Sequence, residues 1–260
     1  MNGWINIYKP KGYTSTYCLN VIKSKFKLKK IGHAGTLDPL AEGILPVAID
    51  EATKSIPYLS ELKKTYFFEA VWGKETSTLD AEGEVTHSSE IIPSKESIKK
   101  KLNSFVGTIE QVPPRYSAKK INGERCYNLA RNNQTFDLKA QKIQIYNIKI
   151  VAHGEGRTSF LVHCGLGTYV RSLIRDIAYS LNTFGYASKI VRRRYGQFTQ
   201  KSSLNMDFII KKMEKKELQK YLLEINKVLI HIPSIKLEDK RIKLIKNGMK
   251  VSMLEEFGAI

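Results

Sequence analysis

The sequence predicts an α+β fold built on a mostly antiparallel mixed sheet flanked by helices and loops. Three observations predict it. The run TYFFEAVWG, Thr65–Gly73, has strong β propensity. The stretch Gln141–Gly156 alternates at period two and leads directly into a second apolar run, Thr158–Val170, the pattern of antiparallel neighbours. Helical patterns at 14–27, 93–105 and 169–181 alternate with strand signals along the chain.

Each element follows from its residues. Gly3–Gly12, GWINIYKPKG, reads as a short strand ending in a Lys-Pro-Lys-Gly turn. Thr14–Lys27 reads as a helix with Ser15 or Thr16 as its N-cap. In KIGHAGTLDPLAEGILPVAID, Lys30–Asp50, a Gly-rich turn precedes Asp38, Pro39 follows, and the apolar run from Gly43 reads as a buried strand. Asp38 is thereby placed on a tight loop at the edge of a core. Pro93–Phe105 reads as an amphipathic helix with Ile98, Leu102 and Phe105 on one face and lysines opposite. Gln111–Asn133 opens with two prolines and mixes Arg115, Arg125 and Arg131 with Tyr116 and Tyr127; this suits a flap on nucleic acid or a solvated surface excursion. Tyr169–Leu181 reads as a helix after a Gly-Leu-Gly-Thr turn. The sequence shows neither internal repeats nor low-complexity segments.

Composition sets the bounds. A chain of 260 residues with 42% hydrophobic content supports one large domain with at most a small appendage. Lysine and arginine total 43 against 25 acids, a net charge of +18, with a pI near 9.7. Such an excess suits a polyanion, nucleic acid ahead of an anionic membrane, because phosphate contacts gain by counterion release. The first residues contain no apolar stretch of signal-peptide or membrane-spanning length. Cys18, Cys126 and Cys164 are widely spaced, which argues against a disulfide framework and for a reducing cytoplasm. His163 beside Cys164 is the nearest thing to a metal pair, but neighbours in a strand point to opposite faces.

Five segments in order carry a resemblance. GHAGTLDPLAEGILPVAI (Gly32–Ile49), KKTYFFEAVWGKETSTLDAEGEV (Lys63–Val85), QVPPRYSAKKINGERCYNLAR (Gln111–Arg131), CGLGTYVRSLIRDIA (Cys164–Ala178) and VRRRYGQF (Val191–Phe198) resemble the motifs of the bacterial tRNA pseudouridine synthase family called TruB. The guide-directed synthases of box H/ACA particles share its core. The resemblance covers roughly residues 3–235. It implies a pseudouridine synthase fold over residues 1–234, with an RNA-binding insertion at about 111–141. It also implies isomerisation of uridine 55 in the T loop of tRNA to pseudouridine, with no cofactor and no metal. The implied partner is the T stem-loop of tRNA; neither a membrane nor an obligate protein partner is implied, and a cytoplasmic monomer is expected.

Site residues follow from the same resemblance. Asp38 occupies the position of the essential catalytic aspartate; a carboxylate there serves as nucleophile or as base, and the sequence leaves both roles open. Arg171 matches the active-site arginine that pairs with the aspartate and orients it, although alone it would read as a helical surface arginine. Tyr66 matches a ring that stacks on the target base, and Tyr169 a second active-site aromatic. His33 matches the histidine that fills the gap left by the extruded nucleotide; alone it would read as a loop histidine bonded to backbone. Lys9, Lys64, Arg115, Tyr116, Lys119, Lys120 and Arg192 are candidates for substrate binding. Asp80 and Glu82, which a glycosidase-like hydrolase would need as a second acid, read as an ordinary turn pair. A non-catalytic RNA-binding protein is the other class the composition allows. Residues 235–260 resemble the opening helix and Asn-Gly turn of a PUA domain and then stop, reading as a truncated or rudimentary PUA-like segment.

Overall fold

The computed structural model describes residues 1–251 apart from residues 122 and 133. The chain opens with β1 (Gly3–Lys9) and α1 (Ser15–Phe26). Thr14 caps α1, its side chain accepting from the Tyr17 N–H. The cap thus falls one residue ahead of the expected Ser15 or Thr16, because the Ser15 hydroxyl is buried and bonded elsewhere. β2 (Ile31–His33) and β3 (Glu42–Ile49) flank the Asp38 loop. A 3-10 helix (Asp50–Leu59) leads to β4 (Lys64–Trp72), the hairpin of β5 (Lys74–Thr76) with β6 (Val85–Ser88), and α2 (Lys95–Leu102). α2 buries Ile98 and Leu102 as its periodicity predicts, and residues 103–105 tighten into a 3-10 turn.

After β7 (Gly107–Gln111), the basic excursion folds into a small hairpin, β8 (Lys120–Ile121) with β9 (Glu124–Arg125), followed by α3 (Cys126–Arg131). Then come β10 (Gln141–Gly154), β11 (Arg157–Cys164), α4 (Val170–Ser180), β12 (Gly185–Tyr195), β13 (Phe198–Thr199) and β14 (Leu204–Asn205). The strand expected to Val170 stops at Cys164, and the Gly-rich turn after it faces a cavity. α5 (Met206–Lys211), α6 (Lys215–Lys220), α7 (Ile225–Val228) and α8 (Asp239–Lys246) complete the described chain. α8 buries none of its residues, and Gly248 at φ +74° follows it; residues 252–260 of the expected PUA-like segment lie outside the described residues.

The sheet runs β14-β1-β3-β12-β4-β11-β10-β7, with β2 on β3 and β13 on β12. Its pairs are antiparallel except β1 with β14 and β3 with β12. Two cores lie on it. The larger joins Cys18, Leu19, Ile22 and Phe26 of α1 and Leu173, Ile174 and Ile177 of α4 to Phe68, Trp72 and Phe160 of the strands. The smaller gathers Trp4, Ile44, Ala48, Leu59, Tyr195 and Phe198. Side chains alternate across a strand, so β1 and β3 feed both cores, and their near-continuous apolar sequences follow from burial on both faces. At the parallel junction of β3 and β12, Gly43 lies opposite Arg192 at φ +115°, where a Cβ would run into the Arg192 carbonyl.

Candidate active site

The loop between β2 and β3 is held by backbone contacts from several directions. The Ser15 hydroxyl donates to the Leu37 carbonyl at 3.0 Å and accepts from the Leu37 N–H at 2.9 Å. The Pro39 carbonyl accepts from the Gly12 N–H at 2.8 Å and from Lys9 Nζ at 3.4 Å. The Ala41 N–H closes the turn onto the Asp38 carbonyl at 3.1 Å. Lys9 is fully buried, donates also to the Pro10 and Tyr13 carbonyls, and is lowered by burial to a pKa of about 8. Lys9, expected to bind substrate, has its ammonium engaged by loop carbonyls, where it braces the turn.

Asp38 opens onto a cavity of about 580 Å3, with its side chain 36% exposed. Arg171, buried at the start of α4, places Nη2 2.7 Å from Asp38 Oδ2. The same guanidinium donates to the carbonyls of Thr78 and Tyr116, each at 2.8 Å, and its Nη1 lies 3.4 Å from Asp80 Oδ2. Asp80 is therefore no ordinary turn acid. Its side chain is 5% exposed behind Arg171, and its Oδ1 accepts from Thr78 Oγ1 and the Glu82 N–H. The turn that presents it carries Leu79 at φ +60°, a costly conformation for a bulky residue. The sequence signal for it is the Thr-Leu-Asp step, with Thr76 and Thr78 both bonding Asp80.

Across the cavity, Tyr66 of β4 and Arg192 of β12 are register partners. Burial raises the Tyr66 pKa, partly opposed by the Arg192 charge, so its hydroxyl stays protonated and available as a donor. Arg192, expected to bind substrate, is buried and lines the cavity; it gives Nε to the Ile44 carbonyl and Nη2 to the Gly35 carbonyl, and lies against the Tyr195 ring. It contributes charge to the cavity wall from below rather than reaching for phosphate at the surface. Lys64 is likewise buried; it donates to the Ser60 carbonyl, sits 4.7 Å from the Tyr195 ring centre and lines the cavity. Burial lowers its pKa to about 8.

Tyr169 lines the cavity just ahead of α4, and its N–H is held by Gln111 Oε1 at 2.8 Å. Gln111 is one of a set of anchors that sequence reasoning missed. Ser172 Oγ and Arg175 Nη2 both donate to the Val112 carbonyl, and Gln141 Nε2 donates to the Gly167 carbonyl. Together they seat the excursion on the first turns of α4. Of the excursion's predicted residues, Lys119 lines the cavity and bonds Gln141 at 3.3 Å. Tyr116 supplies its carbonyl to Arg171. Lys120 and Arg115 are exposed, Arg115 lying 5.1 Å from the Phe136 ring centre. Tyr127 is flanked by Arg125 and Arg131 at 5.9 and 5.8 Å.

His33 stands apart from the cavity lining, on β2 opposite Val47. Its Nδ1 is buried without a hydrogen-bond partner among the described residues. Burial, reinforced by the charges of Arg192 and Arg125, lowers its pKa to about 4, so the ring is neutral near pH 7. His163 and Cys164 behave as strand neighbours, one exposed and the other buried. No described helix is long and apolar enough to cross a membrane.

Residues 23–170 match the family model described as TruB family pseudouridylate synthase, N-terminal domain. Over 255 residues the chain is 38% identical to a protein named tRNA pseudouridine synthase B from Caulobacter sp. (strain K31), covering 98% of this chain and 82% of that protein. It is 41% identical over 259 residues to the protein of the same name from Ehrlichia ruminantium (strain Gardel), covering 97% of this chain and 87% of that one. Among solved structures, a chain of a Cbf5-Nop10-Gar1 complex is similar with a TM-score of 0.71 at 26% identity, covering 95% of this chain and 67% of that chain.

Proposed function

The chain belongs to the TruB family of pseudouridylate synthases, and from that premise we infer that it converts uridine 55 in the T loop of tRNA to pseudouridine. The observation that carries this reading is the 2.7 Å pairing of Arg171 with Asp38 at the mouth of a cavity shared with Tyr66 and Tyr169. A cavity of about 580 Å3 has the size of a small-ligand site. A base inside a loop stack cannot reach it without being extruded, so the target nucleotide flips out and enters it.

The bond from C1′ to uracil N1 then breaks, the base turns, and a bond forms from C1′ to C5; the C5 proton leaves and N1 gains one. Asp38 supplies the carboxylate against which positive character develops on the ribose. Arg171 fixes its position through the single Nη2–Oδ2 contact, with its planar guanidinium held in place by Thr78, Tyr116 and Asp80. Tyr66 offers a ring for stacking and a protonated hydroxyl. Asp80 sits behind Arg171 with little exposure, which supports isomerisation over a hydrolysis needing a second free acid.

The test is incubation with unmodified tRNA transcript, followed by carbodiimide mapping of pseudouridine and mass analysis. Isomerisation leaves the RNA mass unchanged, whereas base loss lowers it. Asp38→Asn is expected to abolish product while leaving RNA affinity within about threefold, since it keeps shape and removes the reactive carboxylate. Turnover by Asp38→Asn at the wild-type rate would remove Asp38 from the chemistry.

A further inference from the structure

We propose that Ser15, the first residue of α1, is a positioning residue for the Asp38 carboxylate; this rests on the isomerase reading above. The Ser15 hydroxyl reads both polar groups of Leu37, the residue next to Asp38, accepting from its N–H at 2.9 Å and donating to its carbonyl at 3.0 Å. A hydroxyl has one donor and two acceptor sites, so this clamp uses its capacity in both senses.

Helix capping does not explain the serine, because Thr14 already caps α1. What Ser15 adds is a tie between the loop and a helix whose Cys18, Leu19, Ile22 and Phe26 are buried in the larger core. The other side of the loop is tied separately, through the Pro39 carbonyl to Gly12 and Lys9. Arg171 holds the carboxylate oxygen but does not fix the backbone that carries it. Without the Ser15 hydroxyl, the Leu37 N–H and carbonyl would be left buried and unpaired, and the loop would shift to find partners. A shift of the carboxylate against the ribose lowers the rate of the chemical step and leaves the extended RNA contacts alone.

The experiment compares wild type, Ser15→Ala, Ser15→Thr and Ser15→Cys on unmodified tRNA transcript. It reads the single-turnover rate, the RNA Kd, thermal stability, and hydrogen exchange of the peptide spanning Gly35–Ala41. Ser15→Ala is expected to slow the chemical step by about 10- to 100-fold, with Kd within about threefold and faster exchange at the Leu37 amide. Ser15→Thr, which keeps the hydroxyl, is expected to recover the rate to within about threefold of wild type. Ser15→Cys keeps the size with a weaker donor and is expected to fall between them.

A folded Ser15→Ala that reacts at the wild-type rate overturns the proposal. So does a rate loss matched by an equal loss of RNA affinity, or one shared equally by Ser15→Thr. Should Ser15→Ala not fold, a wild-type rate in Ser15→Cys overturns it as well. Wild-type protein that forms no pseudouridine overturns the isomerase reading and the positioning role with it; unchanged Leu37 exchange in Ser15→Ala overturns the clamp alone.

Discussion

Arg171 donates to two carbonyls and pairs with two carboxylates, drawn from the Asp38 loop, the Thr78–Asp80 turn and the excursion. A lysine offers three donors on one nitrogen and cannot span that geometry. Arg171→Lys should therefore slow the single-turnover step by about 100-fold or more with RNA Kd nearly unchanged; rapid-quench kinetics and filter binding check the two halves. His33 gives a pH prediction. Its folded pKa is about 4 against an ordinary 6.5. Above pH 6.5 the ring is neutral in both states; as pH falls, the unfolded chain takes up its proton first, so stability declines down to about pH 4. His33→Gln should flatten that decline in denaturant titrations across the window. At this scale the sequence is legible where a motif singles out a residue, as with Asp38 and Arg171. The burial of Lys9 and Arg192 is not legible, because lysine and arginine are usually exposed and only the fold reveals the carbonyls that receive them. Asp80 escapes notice because an Asp-Ala-Glu-Gly turn looks the same whether or not an arginine lies behind it.

Among the elements, the junction of β3 with β12 joins the strand that leaves the Asp38 loop to the strand that carries Arg192. Gly43 makes that approach possible by its φ of +115° and its missing Cβ. Gly43→Ala should lower stability by at least about 2 kcal/mol, measured by urea unfolding, since the added methyl meets backbone rather than a movable side chain. β1, β3, β4, β10, β11, α1, α2 and α4 are all readable from period and propensity, each with a long patterned run. β8, β9 and α3 are not. Strands of two residues and a helix of six carry too little periodicity to announce themselves. Their form depends instead on tertiary ties, such as the Cys126 N–H to the Lys119 carbonyl and the Tyr127 N–H to the Ser117 carbonyl.

Across the whole molecule, the surplus of +18 is divided between charges that face water and charges enclosed by backbone. This predicts two classes of basic residue. Arg115→Ala and Lys120→Ala, both at exposed positions, should each make the log–log salt slope of tRNA affinity shallower by about 0.7–0.9 for every phosphate the side chain neutralises. Lys9→Met and Arg192→Met should leave that slope unchanged and act on stability or rate. Equal slope changes in all four variants would show that burial does not separate the classes. The burial of the two tryptophans has an optical consequence. Trp4 belongs to the smaller core and Trp72 to the larger, and each indole N–H has its own hydroxyl partner, Ser55 and Thr158 respectively. The sequence contains no third tryptophan. Intrinsic fluorescence is therefore two lamps, one behind each face of the sheet, and replacing either by phenylalanine leaves a reporter of the other layer. Because β1 and β3 feed both layers, the two lamps should dim at the same denaturant concentration.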